Sequence, residues 1–493
     1  MAIGPLKDIG RDLKLFAATQ ASFDIATNGT TAGENYPEAG DAIRAITASA
    51  GGTYPFATRE DKFGTATYVG GIQQKVTSEA SFETYLLVNG TAVTQPDIGP
   101  DLLEGGGWER VDTTAISSTI ASAASAAVFT VASATGFTVG GGVAVQDEVD
   151  STLYHLRRIK TVASTTITVE PPLPAAPTGS SKVVKGCNSY KPNDSRDGAN
   201  SDGTAQCLTL WVANNRSLDQ VESFAPTSFG VSLGGDSAAK LSVSGTGRLT
   251  SRMLATTVSE PIDAVEEYFN VANDTVFEGI DLTTPVYYQI DDEIVKVTAV
   301  AAGTITVVRE ALSSSAATHE TGTAIVPYGT SLAGSYTGSP VAATSGVIYW
   351  VPYGSTDDAD SLQVTTAQFD CGFGVTTRDN VHGAKTTVAG YTINTREVNL
   401  SMSGWTLVTS GMGIQAEILS GYWSGTGTGS GSQQLSIVVQ QGEALGSSVA
   451  MVAPRFRPTL SSLDRGAEEV ALDTAGMCEG TSSGEDEILL IFS

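Results

Sequence analysis

Apolar and polar residues alternate with a period of two along much of this chain, in short runs separated by turn residues. Leu208, Leu210 and Val212 alternate with Cys207, Thr209 and Trp211, the pattern of a strand covered on one or both faces. Residues 223–235 repeat the theme with Val231 and Leu233. Helix-period spacing is rare. One short helix is expected at 100–104, where Pro100 suits a first turn and Gly105 to Gly107 stop it. Abundant Thr, Ser and Val, punctuated by 54 Gly, make the expected class all-β.

One regularity stands above this background. Residues 162–169, Val-Ala-Ser-Thr-Thr-Ile-Thr-Val, return at 300–307 as Val-Ala-Ala-Gly-Thr-Ile-Thr-Val with the same spacing. Each copy follows a strand ending near Ile159 or Val297 and precedes an Ala/Ser/Pro-rich loop and a closing strand at Lys182–Val184 or Ala324–Val326. A hairpin with a four-residue spacer fits both copies. The expected organisation is therefore two small β modules of one plan, at 111–186 and 272–328. They are read as insertions into a core made of 1–110, 187–271 and 329–493, through Ser/Ala-rich boundaries such as 117–126. Such modules should lie outside the core, be solvated, and be removable.

Composition narrows the function. At 493 residues two to four packed units are expected. Lys and Arg total 27 against 53 Asp and Glu, a net charge of −26, yet only 16% of residues are charged. With mean hydropathy of +0.03 this is a folding chain, not a disordered acidic tail. A strongly acidic protein repels a phosphate backbone, so direct nucleic-acid binding is disfavoured. The same sign suits either a conduit through which DNA slides without sticking or simple solubility of an abundant surface. Four cysteines, Cys187, Cys207, Cys371 and Cys478, are too few for a disulfide scaffold and are expected as buried thiols. Cys187 and Cys207 flank a polar loop at whose base they could meet. The first ten residues carry charges where a signal peptide needs an apolar run, and no eighteen-residue apolar stretch occurs, so no membrane insertion is expected.

Catalytic and metal chemistry find little support. The three histidines, His155, His319 and His382, are scattered. His155 is expected on a partly exposed strand beside Arg157 and Arg158. His319 lacks a second histidine four residues on and is expected in a loop. Cys371 and His382 are near in sequence without a defined orienting acid. The acidic runs 291–293 and 266–267 read as solvated faces rather than paired catalytic carboxylates. Residues 194–203 gather Asp194, Asp197, Asn200 and Asp202 between glycines, but the spacing matches no EF-hand and a hairpin tip fits better. The Gly/Ser/Thr run 424–432 lacks the Lys-Ser/Thr of a phosphate cradle. No catalytic residue, metal or cofactor is expected, and the chain is read as a non-enzyme.

Several blocks carry a family resemblance. Residues 79–86, Glu-Ala-Ser-Phe-Glu-Thr-Tyr-Leu, precede a Pro/Asp-rich break at 96–104. There follow Leu208–Val212, then Ser223-Phe224 leading to 239–247, then 452–456 running to 485–492. In this order they resemble the tail tube proteins of long-tailed (siphovirus-type) phages. Each block is short, and the chain is longer than a minimal tube subunit because of the modules. The resemblance implies a tail-tube-like β-sandwich core with a short flanking helix. It also implies hexameric rings that stack into the channel for the genome and the tape-measure protein. The implied partners are further copies of the chain, the tape-measure, tail terminator and distal tail proteins, and passing DNA without specific binding. The implied location is the virion tail, assembled in the host cytoplasm. Glu79, Phe82, Glu83, Tyr85 and Leu86 are the expected subunit contact, with Phe82 alternatively filling the sandwich core.

A reading from another class is a virion surface decoration or receptor/carbohydrate-binding protein in which the modules bind. Those regions contain no Trp and few Tyr, namely Tyr154, Tyr287, Tyr288 and Tyr328, which counts modestly against sugar stacking. An enzymatic wall-degrading component would need a carboxylate pair in a cleft.

Overall fold

The computed structural model describes residues 12–493 except 21–35, 54–55, 59–70, 74–76, 91–95, 113–115, 179–181, 194–206, 235–236, 281, 283–284, 343–345, 363, 379–389, 406–433, 460–462, 465–470, 482–483 and 485. The fold is all-β, as the alternation predicts. Its principal body is two sheets with one core between them.

The first sheet runs, neighbour to antiparallel neighbour, through Ala45–Thr53, Thr77–Tyr85, Lys240–Leu254, Ser217–Gly234, Thr366–Gly372, Glu397–Trp405 and Ala471–Cys478. The first half of the long strand Ser217–Gly234 also pairs with Leu208–Ala213, which carries Lys14–Thr19. The second sheet runs through Trp108–Asp112, Asn188–Pro192, Leu489–Phe492, Val449–Pro458, Leu435–Gln441, Gly346–Pro352 and Asp360–Leu362. The two meet where Phe456–Pro458 pairs with the end of Ala471–Cys478. Side chains from both fill one apolar core, among them Phe82, Phe229, Val243 and Leu400 from the first sheet and Trp350, Val439, Met451 and Phe492 from the second. This interdigitation of two inner faces is what a β-sandwich requires.

The expected short helix is present as one turn of π-helix, Gly99–Glu104, with Leu102 and Leu103 fully buried. It ends on Gly107, whose φ of +103° a side chain would resist, and Gly106 leaves no room for a Cβ, which would meet the Phe229 ring at 2.7 Å.

The repeated motif builds two modules of one topology. In the first, Val128–Val131, Thr166–Glu170, Tyr154–Ala163, Gly142–Gln146, Val183–Gly186 and Ser117–Ala123 close into a six-stranded barrel. In the second, Tyr268–Asn270, Thr304–Val308, Glu293–Ala301, Val286–Ile290, Ala324–Pro327 and Thr256–Thr257 follow in the same order. Closure there is reduced to a bridge between Val258 and Val271. The hairpins match pair for pair: Val162 faces Ile167 as Val300 faces Ile305, and each bulges at one place, after Ile159 or Val297. The turn is shorter than the spacer suggested. Val162-Ala163 and Val300-Ala301 belong to their strands, leaving Ser164-Thr165 and Ala302-Gly303 as the turn, with Ser164 and Ala302 in the left-handed region. The stretch 117–126, expected as a boundary linker, supplies the barrel strand Ser117–Ala123, with Ile120 in the barrel core.

Neither module is a solvated appendage. Ala144 and Leu156 on the barrel wall pack against Tyr349, Val351, Val438, Val452, Leu489 and Ile491 on the outer face of the second sheet. Gln440 joins the two, accepting from Leu156 N (2.9 Å) and donating to Tyr154 O (2.8 Å). The second module continues its own core onto Phe16, Trp211, Leu218 and Met253 of the first sheet. Both faces of Leu208–Ala213, Leu435–Gln441 and Leu489–Phe492 are therefore buried; the first and last read as nearly continuous apolar runs, while Leu435–Gln441 buries Ser436 and Gln440 on its barrel side.

Candidate interaction face

One broad face of the sandwich remains uncovered by either module: the outer side of the seven-strand run of the first sheet. Register brings its outward side chains into rows. Ser49, Ser81, Ser244 and Ser228 stand side by side across four strands and lead to Gly372 and Glu397. The next row is Thr47, Glu83, Ser242, Gly230, Asp370, Asn399 and Met477. A third is Tyr85, Lys240, Ser232, Gln368, Ser401 and Ala475. Small hydroxyl and glycine positions dominate, so the face is shallow and its side chains bond to one another. Ser49 and Ser81 share a hydrogen bond of 3.0 Å, Gln368 Nε2 donates to Asp370 Oδ1 at 3.0 Å, and Asn399 Nδ2 donates to Glu397 Oε1 at 3.1 Å.

The charge on this face is predominantly acidic. Glu79, Glu83, Asp370, Glu397 and Asp473 lie along these strands, against Lys240 and Arg248. Both cations are engaged by carboxylates, Lys240 with Glu83 at 3.2 Å and Arg248 with Glu222 at 3.3 Å. A phosphate chain would find acidic groups and already-paired cations here.

The residues expected to make a subunit contact divide between two faces. Phe82 and Leu86 belong to the sandwich core, Phe82 lying 6.5 Å from the Phe224 ring, so neither is available at a surface of the folded chain. Strand alternation leaves Glu79, Glu83 and Tyr85 on the outer face, Glu83 and Tyr85 in the rows just described and Glu79 opposite Thr246.

The histidines are more buried than their sequence context suggests. His155, expected on a partly exposed strand, is 5% exposed and its Nε2 lies 2.8 Å from Asp147 Oδ2. Burial, with the nearby Arg157 charge, pushes the His155 pKa down to about 4. His319, expected in an open loop, is 3% exposed, with Nδ1 and Nε2 each 2.9 Å from a carboxylate oxygen, of Asp291 and Glu293. Glu293 is itself buried, not part of a solvated run. Burial alone would raise its pKa, but bonds from Arg309, at 2.5 and 2.6 Å, and from His319 and Ala317 N outweigh it and hold the carboxyl at about 2. His155 and Glu293 occupy matching positions in the two hairpins, opposite Val145 and Ile290 respectively. Each module thus buries a histidine against carboxylate at the same end of its sheet, His155 on Asp147 and His319 on Asp291 and Glu293. Such contacts are invisible to pattern reading because none of these histidines and carboxylates lies in the repeated motif.

Among the described residues, no three His, Cys, Asp or Glu side chains gather as a metal site. All four cysteines are buried thiols outside any disulfide. Cys187 lies between barrel and second sheet and Cys207 beside Tyr391, so the two do not pair. His382, the loop 194–203 and the Gly/Ser/Thr run 424–432 fall outside the described residues. No protein-family model matches this sequence, and no curated protein matches it.

Proposed function

We propose that the chain is a structural subunit of a phage tail tube, assembling into stacked rings whose channel is lined by the serine-rich face of the first sheet. The observation that carries this reading is the composition of that face: small polar side chains, five carboxylates, and two cations already paired with acids. A channel wall for DNA must present a polar surface without the basic groups that hold phosphates. The edge strand Ala45–Thr53 pairs, among the described strands, on one side only. An unpaired edge suits head-to-tail association with a neighbouring copy, and such contacts close rings. The modules, on other faces of the sandwich, would then face outward.

The test uses the buried state of the native cysteines, which keeps background labelling low. Single variants Ser244→Cys, Ser401→Cys and Val149→Cys are imaged by negative stain and treated with a small maleimide and a polymer-bearing one. The expected outcome is stacked rings, with the small reagent reaching all three sites and the large one reaching only Val149→Cys, whose parent residue is 94% exposed on the barrel. A discrete monomer under all assembly conditions removes the tube reading and leaves a virion surface protein. Tubes in which the polymer reagent labels Ser244→Cys freely would place a different face in the channel.

A further inference from the structure

The two modules share a topology but not a charge. Residues 117–186 hold four Asp or Glu against five Lys or Arg, a net charge of +1, whereas 256–327 hold twelve against two, a net charge of −10. They also differ at one sheet face. In the barrel, Glu170 ends the hairpin strand, is 6% exposed, and is covered by Arg158 (3.4 Å) and Lys160 (3.2 Å). Its counterpart in the second module is Val308, which faces Lys296 as Glu170 faces Arg158, and Val308 is 52% exposed.

Val308 is not isolated. Tyr268, 66% exposed, sits opposite Thr306 on the neighbouring strand, diagonal to Val308 on the same face. Val265, 81% exposed, tips the adjoining turn. That turn is fastened beside Val308 by Arg309, whose Nη1 donates to Asp263 O (2.8 Å) and Glu266 O (2.9 Å). Asp263, Glu267 and Glu310 border this apolar triad from exposed positions.

We propose that this face of the second module is a docking surface for a basic partner segment that alternates Lys or Arg with apolar side chains. Charge complementarity selects that occupant. A partner must bring cations to the acidic rim and apolar groups to Tyr268, Val308 and Val265. A second copy of this chain, at −26, meets the rim with like charge and is disfavoured. The surface is separate from the channel-lining face and does not depend on the tube reading.

The probe is a fluorescein-labelled, end-capped peptide of four Lys-Leu repeats, with a Lys-Ser peptide as its charge-matched control, titrated with the full chain and followed by anisotropy. The Lys-Leu peptide should bind at least tenfold tighter than the control. Tyr268→Ser/Val308→Thr should remove at least tenfold of that affinity, and Glu267→Gln/Glu310→Gln should weaken binding severalfold and flatten its salt dependence. Because these side chains are exposed, unchanged circular dichroism is expected for both variants. A control double variant on the barrel, Val139→Ser/Val149→Ser, at 55% and 94% exposed positions, should leave binding unchanged. Equal affinity for the two peptides, or equal affinity of wild type and Tyr268→Ser/Val308→Thr, overturns the proposal. So does a Tyr268-dependent self-association in sedimentation, which would make the occupant a second copy.

Discussion

Excising the barrel tests how the modules relate to the sandwich. Asp112 and Asn188 are partners in register, so the chain leaves and re-enters the second sheet at adjacent points. Replacing 113–187 by an Asn-Gly turn would close an ordinary hairpin, and loop entropy is no obstacle. The cost lies in the uncovered face. Tyr349, Val351, Val438, Val452, Leu489 and Ile491 lose their cover. If each gives back half of a burial worth about 1.5–3 kcal/mol, the six together lose roughly 5–9 kcal/mol. Hydrogen bonds across the contact go as well, among them Leu156 N and Tyr154 O with Gln440, Tyr154 N to Glu443 O, Ala359 N to Leu173 O and Gly142 N to Ser189 Oγ. Net domain stability is about 5–15 kcal/mol, so the excised chain should be largely aggregated or bind a hydrophobic dye strongly. A companion variant with Val351, Val438, Val452, Leu489 and Ile491 changed to Thr should recover solubility in sedimentation. The reasoning fails if the simple excision gives a monodisperse protein whose guanidinium midpoint equals that of the full chain.

Other outcomes follow from single groups. Glu293→Ala strands Arg309 and His319, whose side chains are 6% and 1% exposed, and should cost about 3–5 kcal/mol, read as early hydrogen exchange confined to 256–327. The Glu293 carboxyl has a folded pKa of about 2, below its ordinary 4.5. Its stabilisation should be complete above about pH 4.5 and vanish as pH falls toward 2, a slope absent from Glu293→Gln in acid titrations of the melting temperature. Asp41 runs the other way: burial raises it to about 7, so the folded state holds the proton more tightly. Stability should fall as pH rises from about 4 to about 7, and Asp41→Asn should abolish that fall. Ala302, at φ 48° in the second module's turn, should gain about 1 kcal/mol on replacement by Asn, seen as a higher melting temperature.

How much was legible depended on whether a property is local. Period-two alternation made the all-β class readable, and the Pro100 and glycine punctuation placed the helical turn Gly99–Glu104. The matched octapeptides disclosed two modules of one plan, because a hairpin's register follows from its own turn and its own alternation. What each face touches was not local. The apolar runs at 208–213 and 489–492 signalled burial, but only the packed structure showed that the modules themselves supply the second cover. Phe82 and Tyr85 look alike as surface aromatics in sequence, and one residue of phase sends the first into the core and the second outward. The rows of serines come from strands more than 150 positions apart, from Ser49 to Ser244, and no window of sequence contains them. His319 and Glu293 read as loop and solvated run because burial and charge pairing are set by long-range contacts. Sequence alone determined the strands and their repeated plan; tertiary structure decided the faces, since burial depends on which distant strands arrive opposite one another.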